Sequence, residues 1–351
     1  MRDKHIHIEK DSLLLKQVYA DVEQRLLINK KKTRRLLAMK FIFYFALMAI
    51  SYTVIFYTNN VFVLFLGFVM FGVLSVLMGF NFAHDLCHNT VFKNNKLNNL
   101  GFIAIYTMLG AHAEAWKFRH IRSHHYAPNV KDYDSDLQIT HLIRVEPGSD
   151  YSWYHKFQHL YAPIAYTTYS FYWVFVKDFV IHFSNDGNPQ KRKRVYHVSF
   201  WTQKIFYVGY LLILPILFCQ FSWMLVTTAF LAMHFVQSLF LLFTFFMTHH
   251  VEKTAYFETD DNGYIQTSWL ANQIKSSNDF HPFSKTANFI FGGFNNHIAH
   301  HLFPHIHHVH YPALNRILYR TLIRNNIRPN VTTFTGGIVS HLRHLRKLSE
   351  Q

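Results

Sequence analysis

Cysteine and acidic side chains are scarce in this sequence. Two cysteines, Cys87 and Cys219, occur among 351 residues, too few for a disulfide framework or a thiolate metal cage, which indicates a reducing compartment for the polar part. Asp and Glu number 20 against 35 Lys and Arg, giving a formal net charge of +15. Because the basic residues cluster beside apolar runs, at 29–40 and 190–194, we expect them to set membrane orientation rather than bind nucleic acid.

Long apolar runs are abundant instead, since half of the residues are hydrophobic and 18% are aromatic. Four runs approach the roughly 20 residues needed to cross a bilayer. They are 39–58, 61–83, 202–219 and 222–247. Short polar links join them in pairs. The sequence therefore predicts an all-α integral membrane protein, with four transmembrane helices in two hairpins and a helical cytoplasmic cap.

Basic clusters before the first and third runs predict that both termini lie on the cytoplasmic side. Two further apolar stretches, 100–111 and 161–183, are expected to lie at the membrane surface, because the first is too short to span and the second contains Lys177 and Asp178. We predict three regions. These are a cytoplasmic amphipathic segment at 1–38 without a secretory signal, a main domain at 39–325 and a cytoplasmic tail at 326–351.

Histidine is strongly enriched, with 26 residues, and the histidines form three clusters. A single H-x3-H pair is weak evidence, because roughly two are expected by chance at this frequency, but each triple pattern has an expectation of only about 0.14. Histidines three or four residues apart share a helix face, so two imidazoles can converge on one ion. The clusters are His84 and His88 in HDLCH, His120, His124 and His125 in HIRSHH, and His297, His300 and His301 in HIAHH.

The predicted topology places all eight histidines on the same membrane face, because two clear spans separate the second cluster from the third. Eight imidazoles are too many for a single ion that keeps open positions, so two metal ions are expected. Neutral imidazole suits zinc, copper, iron and nickel. Soluble helical di-iron proteins use Glu-x-x-His, a pattern that this sequence does not contain.

The stretches carrying these clusters resemble the membrane fatty acid desaturases, the histidine-box enzymes, and most closely the branch similar to linoleoyl-CoA desaturases. The resemblance runs from about 39 to 325. It implies a non-haem di-iron site that uses O₂ and two electrons to insert a double bond into a long-chain fatty acyl substrate. The stretches are NFAHDLCHNTVFKNNKLNNLG (81–101), WKFRHIRSHHYAPNVKDYDSDL (116–137), FFMTHHVE (245–252) and GGFNNHIAHHLFPHIHHVHYPAL (292–314).

The resemblance also implies a ninth ligand, because a further histidine after the last span binds metal in the family. His249 in HHVE fills that position, with His250 as second choice. Asp85 could orient a ligand imidazole or cap a helix, and Asn295 could orient a ligand or simply pack. The implied ligands are His84, His88, His120, His124, His125, His249, His297, His300 and His301.

Three features depart from the family pattern. Phe245 stands where related enzymes have an Asn that holds a metal through water, and His297 stands where front-end members often have Gln, which argues against front-end regiochemistry. His-Pro-Gly-Gly, the mark of a fused cytochrome b5 domain, does not occur. Electrons are therefore expected from a separate donor, a ferredoxin or a free cytochrome b5.

Two alternatives stay open at this point. An acyl or alkyl hydroxylase could use the same scaffold, and a metal or haem transporter could use histidines as relay ligands. A transporter would place ligands within the spans. His234, inside the fourth run, is expected to be a hydrogen-bonded packing residue instead. The acyl carrier, whether CoA, acyl-carrier protein or phospholipid, is not determined by the sequence.

Overall fold

The computed structural model describes residues 4–137 and 141–350 and is mostly helical. Two short strands, β1 at Asp279–Phe280 and β2 at Val331–Thr332, pair in parallel. The helices are α1 Glu9–Arg25, α2 Lys30–Tyr57, α3 Val61–Cys87, α4 Asn95–Leu109, α5 Ala113–Arg119, α6 Gln158–Tyr166, α7 169–183, α8 Arg194–Phe218, α9 Trp223–His249, α10 Trp269–Lys275, α11 Lys285–Phe291, α12 His297–Leu302, α13 Tyr311–Arg324 and α14 Phe334–Ser349.

Four helices, α2, α3, α8 and α9, are long and apolar enough to cross a membrane. They confirm the four predicted runs and the two short links between them. The helices extend beyond the apolar runs, however, because α2 begins at Lys30 rather than 39 and α3 ends at Cys87 rather than 83. Lys and Arg are good helix formers, so a helix continues past the apolar segment that hydropathy detects. The chain is an integral multi-pass membrane protein.

The chain divides into two compact units. Unit 1 comprises Met1–Asn29, Arg119–Ala162 and Phe243–Gln351, and unit 2 comprises Lys30–Phe118 and Pro163–Leu242. Each unit is therefore assembled from segments that are far apart in the sequence. The predicted boundaries at 38 and 326 stay predictions.

Unit 2 contains a buried ion pair on the ambiguous stretch at 161–183. Lys204 Nζ of α8 donates to Asp178 Oδ2 at 2.6 Å, and the same oxygen accepts from the backbone N–H of His112 at 2.7 Å. The stretch is not one straight helix, because α6 ends at Tyr166 and α7 begins at 169. The charge of Asp178 is thus compensated inside the protein, and the predicted place of the stretch at the membrane surface stays a prediction.

The core of unit 1 surrounds α12, which carries the third histidine cluster. The apolar face of α1, including Leu14 and Val18, packs in one cluster with Leu314 and Leu318 of α13 and with Ile298 of α12. The amphipathic pattern at 11–27 therefore forms a helix whose apolar face is buried in unit 1. This packing of α1 and α13 against α12 holds the helix that carries the third histidine cluster in place.

Candidate metal centre

Four histidines from three segments of unit 1 converge in what we call the four-histidine group: His124, His249, His297 and His301. Their candidate ligand nitrogens all lie within 4.8 Å of one another, and all four side chains are buried. Nε2 of His249 lies 2.6 Å from Nε2 of His297 and 3.2 Å from Nε2 of His301. The Nε2 atoms of these three imidazoles thus meet at one point, as ligands of one ion do.

Three of these imidazoles are held from outside through Nδ1. When Nδ1 carries the proton and donates it to an oxygen, Nε2 keeps its lone pair for a metal ion. This arrangement selects the tautomer that the group needs. The contacts are His124 Nδ1 with Asp134 Oδ2 at 3.1 Å, His249 Nδ1 with the Ser276 carbonyl at 3.0 Å, and His301 Nδ1 with Gln273 Oε1 at 2.8 Å.

Charge and burial act differently on two members of this group. Burial lowers the pKa of His124, but the Asp134 carboxylate outweighs it and raises that pKa above its usual value. Burial, with further contributions from His125 and His297, lowers the pKa of His301 well below its usual value. The carboxylate beside His124 makes that imidazole a more basic donor to a metal ion.

Three further histidines of unit 1 form the three-histidine group: His120, His125 and His300. Their candidate ligand nitrogens also lie within 4.8 Å of one another. Nε2 of His125 lies 3.1 Å from Nε2 of His120. The hydroxyl of Tyr311, the first residue of α13, lies 3.5 Å from Nδ1 of His300. A second convergence point therefore exists in the same unit.

A π-turn sorts the second cluster between the two groups. His120–His124 forms a π-turn, in which the N–H of His125 donates to the carbonyl of His120. An i→i+5 turn brings residues five apart together. Consequently His120 pairs with His125 at one point, while His124 turns to the other. The α-helical spacing rule, which would pair His120 with His124, is wrong for this cluster.

The two groups are neighbours. The ring centroids of His125 and His301 are 4.6 Å apart, and those of His300 and His301 are 5.5 Å apart. Seven imidazoles arranged around two adjacent points fit two metal ions rather than one. Two convergence points agree with the two metal ions that the sequence analysis predicts.

Iron suits the donors that these groups present. All seven donors are imidazole nitrogens, which bind iron, zinc, copper and nickel. Nε2 of His124 indicates a bound ligand. The His124 side chain is 1% exposed and, among the described residues, this nitrogen has no hydrogen-bond partner. A buried nitrogen that costs free energy when unsatisfied is expected to bind something. A metal ion satisfies it.

The first cluster lies in unit 2, at the end of α3. The rings of His84 and His88 are 5.1 Å apart, and a π-turn at Gly79–Ala83 precedes them. Burial lowers the pKa of His88 to about 4, so this imidazole stays neutral, as a metal ligand must be. Asp85 is buried there and accepts a hydrogen bond from the Thr90 hydroxyl at 3.3 Å.

Other expected site residues have contacts of their own. His250, the second choice for the ninth ligand, lies 2.8 Å from the Tyr256 hydroxyl through Nδ1. The ring of Phe245 lies 6.0 Å from the ring of His124, so an apolar wall occupies the position of the missing Asn. Asn295 is buried and donates to the carbonyl of His281 at 3.3 Å. Its predicted role beside a ligand stays a prediction.

Sequence reasoning missed the residues that hold the ligands. Asp279 of β1 is the main example, because its carboxylate accepts from the backbone N–H of Ile298 at 2.9 Å and from the Tyr319 hydroxyl at 2.7 Å. It therefore caps the start of α12. Asp134, ten residues after His124 in the acidic run DYDSD, had a signal in its position, whereas Gln273 and Asp279 had none.

His234 tests the transporter alternative. It lies within α9, where Nδ1 is 2.8 Å from the Ser170 hydroxyl and Nε2 is 3.0 Å from the Tyr207 hydroxyl. Among the described residues it belongs to neither histidine group. Hydrogen bonds within the protein thus account for this histidine, which agrees with a packing role.

The fold and the two histidine groups define a class of protein, helical membrane proteins with a buried metal centre built from imidazoles. The comparison with protein families identifies it further, since the fatty acid desaturase family matches residues 58–332. The chain belongs to the fatty acid desaturase family.

Similar curated proteins have related names. An acyl-lipid (8-3)-desaturase of Physcomitrium patens is 29% identical over 306 residues, covering 85% of this chain and 63% of the relative. An sn-1 linoleoyl-lipid 6-desaturase of Arthrospira platensis is 28% identical over 297 residues, covering 81% of this chain and 77% of the relative. The chain thus spans less than two thirds of the length of the Physcomitrium patens relative. These names support the family and do not single out the branch of linoleoyl-CoA desaturases.

Proposed function

We propose that this protein is a fatty acid desaturase, which inserts a carbon–carbon double bond into a long-chain acyl substrate with O₂ as oxidant. The convergence of seven histidines on two adjacent points of unit 1, six of them buried and His125 half-buried, carries this proposal. One turnover removes two hydrogen atoms from neighbouring methylenes, takes up two electrons and two protons, and releases two waters. Two bound iron ions would supply the oxidising power that unactivated methylenes require.

The ligand set that we propose has nine histidines. The four-histidine group would hold one ion, and the three-histidine group would hold the other. His84 and His88 are the two further ligands that the resemblance to the family implies. Asp85 and Asn295 would orient ligands through hydrogen bonds to their second ring nitrogens.

The chain's own residues would do the positioning. Asp134, the Ser276 carbonyl and Gln273 keep the proton on Nδ1 of their histidines, which would leave the lone pair of Nε2 available to the ion. Phe245 presents an apolar ring beside His124, where it would exclude water from the reacting chain. Rigid placement of the acyl chain would then determine which carbons react.

The substrate is proposed as an acyl chain carried by a membrane lipid, by CoA or by acyl-carrier protein. The similar proteins named as acyl-lipid and linoleoyl-lipid desaturases favour the lipid-linked chain. We also propose, from the sequence pattern alone, that the chain belongs to the branch of the family similar to linoleoyl-CoA desaturases. We further propose that the centre and both termini face the cytoplasm, where a separate ferredoxin or cytochrome b5 would deliver electrons.

Expression in a host followed by gas chromatography and mass spectrometry of fatty acid methyl esters tests the function. Wild type is compared with His124→Ala and with His7→Ala, a matched change of a histidine that is 72% exposed. We expect a new unsaturated acid, two mass units lighter than its precursor, in wild type and His7→Ala but not in His124→Ala. A product heavier by one oxygen would instead establish the hydroxylase. Unchanged acids, with iron-loaded protein and a working donor, would contradict acyl oxidation.

A further inference from the structure

The exposed face of α13 carries a row of arginines that the proposed function does not use. Arg316, Arg320 and Arg324 are all exposed and lie four residues apart, so their side chains follow one another along one face of the helix. We call these three residues the arginine stripe. Arg328, also exposed, follows shortly after the helix ends.

Ion pairs within the protein do not account for the stripe. In the part of the chain that the structure describes, no carboxylate forms an ion pair with it, and the nearby Asp21 is engaged by Thr321 and Arg25. Like charges at i,i+4 destabilise a helix by roughly 0.2–0.5 kcal/mol per pair. The helix dipole favours cations only in the last turn, which contains Arg324 but not Arg316. The helix therefore bears a cost that a partner would offset.

The same helix reaches the metal centre. Its first residue, Tyr311, is 2% exposed, and its hydroxyl lies 3.5 Å from Nδ1 of His300. The five-residue step from Tyr311 to Arg316 corresponds to about 7.5 Å of helix rise. Leu314 and Leu318 anchor the opposite face in the core of unit 1. A partner on the stripe would thus sit one short, rigid helix segment from a proposed iron ligand.

We propose that the arginine stripe is the docking surface for the electron donor, a small acidic protein that carries one electron at a time. This inference rests on the proposed function. Two successive dockings would each oxidise one donor molecule by one electron, and the two electrons are those that the reduction of O₂ to two waters consumes together with the two substrate hydrogens.

The chemistry of the surface favours an acidic protein over anionic lipid. Arginine binds carboxylates in a bidentate manner, which lysine does not. The guanidinium of Arg316 also lies 5.9 Å from the ring centroid of Phe283, a side chain that is 44% exposed. Arginine next to an exposed aromatic ring is typical of protein interface hot spots. An acidic protein surface matches both features.

A charge-reversal experiment tests the docking surface. The stripe variant is Arg316→Glu/Arg320→Glu/Arg324→Glu. The control variant, Arg343→Glu/Arg346→Glu/Lys347→Glu, changes the same charge at three exposed basic positions of α14. Each is assayed in nanodiscs with a purified acidic ferredoxin and with an acidic cytochrome b5, and the KM for each donor is measured at several salt concentrations. A photoreduced deazaflavin, a small reductant that needs no docking surface, provides the reference rate.

We expect the stripe variant to raise the KM for at least one donor about tenfold or more and to flatten its salt dependence, because charge reversal removes electrostatic steering. The control variant should stay within about twofold of wild type. Turnover with deazaflavin should be unchanged in both variants. Arg→Lys at all three stripe positions should retain most of the salt dependence, since it keeps the charge.

Several results would overturn the docking proposal. They are an unchanged KM for both donors, an equal loss with deazaflavin, or an effect that occurs only in nanodiscs containing phosphatidylserine, which would assign the stripe to the lipid surface. Failure of the proposed function is distinguishable from all of these. In that case wild type itself would form no unsaturated product with deazaflavin.

Discussion

The two histidine groups of unit 1 differ in how their imidazoles are fixed. In the four-histidine group a carboxylate, an amide oxygen and a backbone carbonyl contact Nδ1 of three members at 2.8–3.1 Å. In the three-histidine group the Tyr311 hydroxyl stands 3.5 Å from Nδ1 of His300. Short bonds to strong acceptors, one of them charged, orient a ligand better than a long contact with a hydroxyl. We therefore expect His124, His249 and His301 to be oriented more firmly than His300, and the four-histidine group to hold its metal ion more tightly on that account.

Removing one ligand should have the largest effect. His249→Ala takes an imidazole from the four-histidine group, and we expect product formation to fall at least about 100-fold with loss of bound iron. His250→Ala is the matched control, because Nδ1 of this adjacent imidazole contacts Tyr256 and, among the described residues, His250 belongs to neither histidine group. Iron content and desaturation rate are measured for both. Equal losses in the two variants would remove the distinction between these neighbours.

Removing the contacts to Nδ1 should show how much each one contributes to metal binding. Asp134→Asn removes the charge beside His124, and we expect iron affinity or activity to fall about 10–100-fold. Tyr311→Phe removes only the hydroxyl that lies 3.5 Å from His300, and we expect a change of about threefold or less. Iron titrations and kcat with a saturating small reductant measure both. A larger loss in Tyr311→Phe would reverse the proposed order of the two groups.

Metal removal should distinguish the groups in the unmodified protein. During slow chelation we expect one iron to leave roughly ten times faster than the other, as a difference of about 1.4 kcal/mol in barrier would produce. The faster loss is assigned by repeating the experiment in Asp134→Asn, which should accelerate only the slower phase. Mass spectrometry of the iron that remains bound follows both phases. Acceleration of the faster phase alone would contradict the assignment.

The smallest effect on activity should come from removing Asp279, which caps the start of α12. Asp279→Ala deprives Ile298 N–H and the Tyr319 hydroxyl of their buried acceptor, and we expect the free energy of unfolding to fall by about 1–3 kcal/mol. Activity at low temperature should largely remain. Thermal unfolding in detergent, compared with the exposed change Glu23→Ala, provides the measurement. An unchanged Tm would show that the cap contributes nothing.

The sequence was sufficient for the four spans and for the histidines themselves. Span length and hydropathy identify α2, α3, α8 and α9, because a bilayer imposes both. The ends of these helices were less predictable, since α2 begins at Lys30, within the basic residues that precede the apolar run. The histidine triples are rare enough to stand out on their own. What the pattern could not give was the sorting of His124 away from His120, which depends on a π-turn.

The supporting residues could not be read from the sequence for a simpler physical reason. Gln273 lies 28 residues from His301, and Asp279 lies 40 residues from Tyr319. Contacts at such separations form only when the tertiary structure does, and no local pattern marks them. The amphipathic stretch at 11–27 is similar, because its pattern predicts a helix but not its burial beside α13.

Iron content per chain tests the central claim most directly. It should be measured for purified wild type, for His124→Ala/His297→Ala from the four-histidine group, and for His120→Ala/His300→Ala from the three-histidine group. Two separate positions predict two irons in wild type and one in each double variant. A single iron in wild type that either double variant abolishes would contradict the account, because both groups would then belong to one site.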